Sequence, residues 1–163
     1  MNFLDTVPIV STVRRNHGLE HATIHVLSER LKQLAVMGHA TLDGFNLIGD
    51  VPTDAVEAAA HEALKRLREG HSRMVIHPNC GTNFVTMGFA AGLAAWAASF
   101  GRGTISKLPR VIMVSTLALL FAMPLGLLVQ EHITTSPVVG DAQILGVERM
   151  QHGNMTVHRV RIG

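Results

Sequence analysis

The chain has 163 residues, of which 47% are hydrophobic and only 16% are charged, against about 25% charged residues in a typical soluble domain. The net charge of +2, with no basic run and no tyrosine, gives no indication of a nucleic-acid surface, and the single cysteine, Cys80, excludes an intrachain disulfide. Ten histidines are the one compositional excess with chemical meaning.

The N-terminal region begins with MNFLDTVPIVSTVRR, which has an early acid and a proline inside its apolar run. A secretory signal peptide begins with basic residues before an apolar run, so none is predicted here. Residues 10–34 are predicted to form a helix, because Val13, Ile24, Leu27 and Leu31 recur at helical spacing. Gly38 is the predicted stop.

The most unusual stretch of this helix is NHGLEHATIH, residues 16–25. At 100° per residue, Glu20 falls in the middle of the apolar face, and His17, His21 and His25 line its edge. A carboxylate in that position must be paired, neutralised or bound to a cation. One interpretation is therefore a metal site with His17 and His21, one helical turn apart, as ligands.

The alternative to a metal is a salt bridge of Glu20, with the histidines hydrogen-bonded around it. Its candidate partners are Arg14, Arg15 and Arg73.

The segment HGLEH resembles the H-x-x-E-H motif of the inverted zincin metallopeptidases. That resemblance implies that His17 and His21 bind zinc and that Glu20 is the general base, hence a catalytic residue. Those peptidases take a further ligand from a downstream carboxylate. Here no acid lies between Glu69 and Glu131, so this portion of the pattern has no match.

The next segment, residues 39–49, has two short runs around Asp43-Gly44, which predicts a β-hairpin. A second helix is predicted from Thr53, as its N-cap, to about residue 69, with Gly70 ending it. Residues 73–78 are predicted to form a strand.

Two further pairs of side chains offer metal ligands. His77 and Cys80 lie three residues apart in HPNC, either as a chelating pair or as an ordinary turn with a buried thiol. Glu57 and His61 lie one turn apart on the second helix, where a solvated edge is the alternative. The predicted ligands are His17, His21, His77 and Cys80, and the predicted metal is a divalent ion, zinc first and iron second.

Two uncharged segments, residues 84–100 and 111–129, predict a transmembrane helical hairpin with the lipid bilayer as its partner. Their 17 and 19 residues compare with the roughly 20 needed to span a bilayer. Gly88 and Gly92 form a small-residue face, which suggests a protein partner or a homo-oligomer through it.

The membrane topology has two opposing indications. The link carries Arg102, Lys107 and Arg110 without an acid, which favours a cytoplasmic link. The soluble N-terminal region has no export signal, which favours the opposite orientation. We expect a multi-pass protein of the bacterial inner membrane, with its soluble regions in the cytoplasm.

The C-terminal region predicts a second hairpin, with arms at 143–149 and 155–162, that adds to the N-terminal sheet. The expected fold is α+β, a small mixed domain interrupted by the transmembrane hairpin. The expected segments are a soluble region at residues 1–82, the transmembrane hairpin at residues 83–130, and a β-hairpin at residues 131–163 on the same membrane side as the first.

Most of residues 14–130 resemble a family of small bacterial two-helix membrane proteins with no assigned activity. The segments that carry the resemblance are NHGLEHATIHVLSER, residues 44–53, and HPNCGTN before the apolar pair. It implies a membrane-anchored architecture and supplies no mechanism.

Two functional hypotheses follow. The first is a membrane-anchored metal-binding protein, with zinc-dependent hydrolysis of a peptidase type as its catalytic form. The second is a non-catalytic subunit or assembly factor of a larger membrane complex, in which the histidine cluster is structural.

Overall fold

The computed structural model describes residues 3–31, 35–101 and 105–163. The first long helix, α1 (Pro8–Arg30), buries the apolar face on which Leu19, Ile24 and Leu27 lie. It ends before the predicted position, since Leu31 already has extended backbone with φ −114° and ψ 115°. Residue 34, the predicted last residue, lies outside the described residues. Gly38, the predicted stop, belongs to the first strand instead.

Both predicted hairpins are confirmed, and together they form one antiparallel sheet. Strands β1 (Met37–Thr41) and β2 (Gly44–Ile48) pair directly across a two-residue turn. Strands β3 (Ile144–His152) and β4 (Met155–Ile162) form the second hairpin, whose turn residue Gly153 has a φ of +59°. Strand β4 pairs with β2, so that the order is β1-β2-β4-β3.

The sheet is covered on one face by two helices. Helix α2 (Thr53–Arg68) packs against α1, and both contact the sheet. Alternate strand residues point to the helices, so Phe45, Leu47 and Val160 are fully buried in the shared core. This arrangement confirms the α+β class.

The structure corrects two local predictions. Thr53 is the first helical residue of α2, and Pro52 is its N-cap. The Thr53 hydroxyl instead lies 3.4 Å from Nδ1 of His158. The predicted strand at 73–78 is wrong: Ser72–Val75 form a 3₁₀ turn. Consecutive Met74 and Val75 are both buried, whereas a strand on this sheet would bury alternate residues.

The chain divides into two units. The first comprises Met1–His77 and Glu131–Gly163, and the second comprises Pro78–Gln130. In the second unit, α3 (Gly81–Ala98) packs antiparallel against α4 (Leu108–Val129). At one end the Arg110 guanidinium donates to the carbonyls of Ala98 and Phe100 at 2.7 and 2.8 Å.

At the other end of the α3–α4 pair, the two helices come into close contact at a glycine. A Cβ on Gly126 would lie 2.7 Å from Oδ1 of Asn83, so only glycine permits this approach. By contrast, a Cβ on Gly88 or Gly92 would meet no atom within 4 Å. The predicted small-residue face therefore takes no part in the α3–α4 contact.

Helix α4 continues through a π-helical turn, Gln130–Thr134. The continuous helix Leu108–Thr134 has 27 residues and is, by length and composition, able to cross a membrane. Among the described residues it is the one helix that meets this criterion.

Candidate metal centre

The candidate centre begins with two histidines on α1. His17 and His21 lie one turn apart, and their ring centroids are 4.4 Å apart in an edge-to-face arrangement. His21 is 2% exposed, and His17 is partly buried. The rings are therefore neighbours, and that of His21 is shielded from bulk water.

Each of these rings is held by a main-chain carbonyl. Nδ1 of His17 donates to the Thr134 carbonyl at 2.9 Å, and Nδ1 of His21 donates to the Val75 carbonyl at 2.7 Å. Because a carbonyl can only accept, the proton must reside on Nδ1 in both rings. A neutral ring in this tautomer carries its lone pair on Nε2, which is the form in which histidine binds a metal.

The glutamate of HGLEH is buried, as the helical angles predict. Glu20 is 4% exposed, and a Cβ on Gly38 of β1 would overlap its carboxylate. The carboxylate thus lies against β1. The two histidines instead face the main chain that follows α2 and α4.

Arg14 is one of the three arginines considered as partners for Glu20 in the alternative to a metal. Arg14 forms an ion pair with Asp5, and it donates to the Thr135 carbonyl at 2.9 Å and the His132 carbonyl at 3.1 Å. Arg14 therefore holds the segment that follows α4 onto α1. Nε of the neighbouring Arg15 donates to the Asn16 side chain at 3.3 Å.

His77 lies next to the histidine pair. Its ring centroid is 5.7 Å from that of His21. Burial, and to a lesser degree the electrostatic effect of nearby His25, lowers the pKa of His77 below its ordinary value. Its ring is therefore neutral near pH 7, the state that a metal ligand requires.

Cys80 belongs to the second unit, where it is the N-cap of α3. Its side chain is 7% exposed, and its Sγ accepts from the Thr82 backbone N–H at 3.4 Å. The other predicted pair, Glu57 and His61, is exposed on α2.

One buried histidine was not singled out by its sequence context. His158 on β4 is fully buried, and burial, followed by the positive charge of Arg149, lowers the pKa of its ring. Its position could have been found from strand alternation, because it lies between the inward-facing Thr156 and Val160. Its Nδ1 lies 3.4 Å from the Thr53 hydroxyl, and with its lowered pKa it is a neutral residue of the core near pH 7.

Comparison with known proteins places the chain in a family. A domain of unknown function, DUF6391, matches residues 12–147. An uncharacterised protein of Picosynechococcus sp. is 36% identical over 135 residues, which are 76% of this chain and 66% of that protein. No solved structure matches the chain. The match over most of its length shows that the chain belongs to the DUF6391 family.

Proposed function

We propose that this protein is a membrane-anchored metal-binding protein whose ligands include His17 and His21. The observation that carries the proposal is the pair of Nδ1–H···O=C bonds. They fix both neighbouring rings in the tautomer that leaves Nε2 for a metal. Histidine ligands in metal sites are commonly oriented by such a second hydrogen bond.

The third proposed ligand is Cys80. Only Pro78 and Asn79 separate it from His77, whose ring is beside His21, so its Cα lies within about 11 Å of the His77 Cα. Its buried thiol would bind as the thiolate. With His17 and His21, this thiolate would complete a set of three donors for one metal ion.

Two imidazoles and a thiolate favour zinc, with iron as the second choice. Three protein ligands would leave a fourth position open for water, as in catalytic zinc sites. His77, as a fourth ligand, would close the site and make it structural. Three protein ligands would therefore indicate a catalytic site, and four would indicate a structural one.

Glu20 is the proposed general base only in the catalytic form. Its carboxylate lies against Gly38 of β1. In the non-catalytic alternative, the metal holds the domain together within a larger membrane complex. In that alternative Glu20 is a structural residue beside β1.

The membrane anchor is proposed on the exposed apolar surface of α4. Large side chains such as Ile112, Leu120 and Phe121 are 56–74% exposed along it, and lipid is the environment that would cover such a band. Helix α3, with 18 residues and a length of about 27 Å, is the proposed second span.

The proposed orientation of the anchor places the first unit in the cytoplasm. Lys107 and Arg110 donate to main-chain carbonyls at the end of α3, so their charges have a structural role there. Because these charges have a role in the hairpin itself, they are not needed to explain a cytoplasmic link. We therefore propose that the first unit, and not the link, lies in the cytoplasm.

The decisive test is the metal content of the purified full-length protein, measured by mass spectrometry of the elements. We expect about one zinc or iron per chain, and its loss in His17→Ala, His21→Ala and Cys80→Ser. His25→Ala is the matched control, since His25 is an exposed histidine on the same helix. A metal-free wild type, or equal metal content in all variants, would contradict the proposal.

A further inference from the structure

A cavity of about 290 Å³ lies in the first unit, between the first turns of α1 and the segment that follows the π-helical turn. The residues that give it its character are Ser11, Thr12, Arg15, Ser136, Val138 and Asp141. These residues have no part in the candidate metal centre.

The cavity contains one cation and one anion without ionic partners. Within the described residues, neither Arg15 nor Asp141 forms an ion pair, whereas the third charge, Asp5, is paired with Arg14. Over the same residues, the Arg15 side chain forms its hydrogen bond through Nε, so its terminal N–H groups remain for a ligand. A guanidinium fits a phosphate, and a carboxylate fits an ammonium. The pair thus matches a ligand that carries both groups.

Exposed apolar side chains lie close in the chain to the residues that line this cavity. Phe3, Ile9, Ile133 and Val138 are 78%, 66%, 52% and 70% exposed. The bonds of Arg14 to the carbonyls of 132 and 135, and that of the Ser136 N–H to the Arg14 carbonyl at 3.0 Å, hold the two chain segments side by side.

One of these exposed apolar residues lies at the end of the proposed anchor helix. Ile133 is itself part of the 27-residue apolar helix Leu108–Thr134. Ser136, which lines the cavity, follows the end of that helix by two residues, so the cavity is tied by the chain to the headgroup level of a bilayer if the helix spans it.

We propose that this cavity binds the headgroup of a zwitterionic phospholipid, with Arg15 on the phosphate and Asp141 on the ammonium. The inference rests on the proposed membrane anchor and is independent of the metal. A purely anionic headgroup would meet the Asp141 carboxylate without a compensating cation. Phosphatidylethanolamine is the simplest lipid that satisfies both charges.

The test is native mass spectrometry of the full-length protein in detergent, titrated with phosphatidylethanolamine and, separately, with phosphatidylglycerol. We expect the ethanolamine lipid to bind more tightly, and Arg15→Gln and Asp141→Asn each to weaken it about tenfold. The matched controls are Arg149→Gln and Asp50→Asn, since both residues are exposed charges without ion pairs among the described residues. These should bind as the wild type does.

Three results would overturn the proposal. They are equal retention of the two lipids, unchanged binding in both cavity variants, and binding of soluble phosphoethanolamine as tight as that of the lipid. Alkaline extraction of membranes from the same cells distinguishes failure of the headgroup site from failure of the membrane anchor. A protein that stays in the membrane without selecting the lipid contradicts the headgroup site alone, whereas a protein released by extraction contradicts the anchor.

Discussion

Gly38 shows how one residue on β1 positions a carboxylate on α1. The Glu20 side chain occupies the space that a Cβ at position 38 would take. Glycine is therefore required here because of the approach of another side chain, since no unusual backbone angle is involved.

We predict that Gly38→Ala lowers the free energy of unfolding by about 1–3 kcal/mol, because the methyl group and the carboxylate cannot share that space. In a Glu20→Ala background the same change should cost much less, since the clashing atoms are gone. Thermal and denaturant unfolding of the four proteins gives this double-mutant cycle. Equal costs in the two backgrounds would show that Glu20 does not lie against β1.

Some of the candidate centre could be predicted at the scale of residues. Helical angles alone place Glu20 in the apolar face and His17 beside His21, because α1 is regular. The acceptors of the two rings could not be predicted. Val75 and Thr134 contribute main-chain carbonyls, 54 and 117 residues away in the chain, and a carbonyl leaves no trace in side-chain identity.

The glycines of α3 and α4 differ in what they do. Gly126 of α4 lies against Asn83, and the Asn83 carboxamide in turn accepts from the buried Gln130 side chain at 2.5 Å. Gly92 on α3 faces open space within the described residues. The sequence singles out the glycines of α3 because they are spaced four apart, whereas the close contact between the two helices is made at Gly126 of α4.

Gly126→Ala should destabilise the α3–α4 pair by about 1–3 kcal/mol, because its Cβ would press on Asn83. Gly92→Ala is the matched control, and on helix propensity alone it should be neutral or stabilising by up to about 1 kcal/mol. Thermal unfolding in detergent measures both. Gly92→Ala could instead lower the melting temperature and also reduce the mass of the protein in detergent. That result would show that the Gly88/Gly92 face contacts a partner or a second copy of the chain.

Two predictions made from local sequence patterns were wrong, because tertiary packing decides the conformation at those positions. The segment 73–78 has the composition of a strand, yet the sheet already has β2 and β4 at its centre, and Ser72–Val75 pack on α1 as a turn. Thr53 has the side chain of an N-cap, but its hydroxyl lies beside His158 instead. In both cases the competing partner lies in a distant region of the sequence.

At the scale of the whole molecule, the proposed metal would connect regions of the first unit that are far apart in the chain. Its histidine ligands are bonded to the segments on either side of residues 78–130. A metal that binds only the folded protein raises stability by mass action.

Chelation with EDTA should therefore lower the melting temperature of the wild type by several degrees, and added zinc should restore it. His21→Ala should have the melting temperature of the EDTA-treated wild type, and neither EDTA nor zinc should change it. Melting curves recorded by differential scanning calorimetry report this. A wild type that melts identically with and without EDTA would contradict a metal that holds the first unit together.

The α+β class and the two hairpins could be predicted at this scale, because turn residues and alternation are local signals that survive in the fold.

The order of strands has a consequence for biosynthesis. Strand β4 lies between β2 and β3 but follows both apolar helices in the chain, so a ribosome delivers those helices before the middle of the sheet exists. Until the last residues emerge, β2 presents an unpaired edge on which a second nascent chain could add a strand.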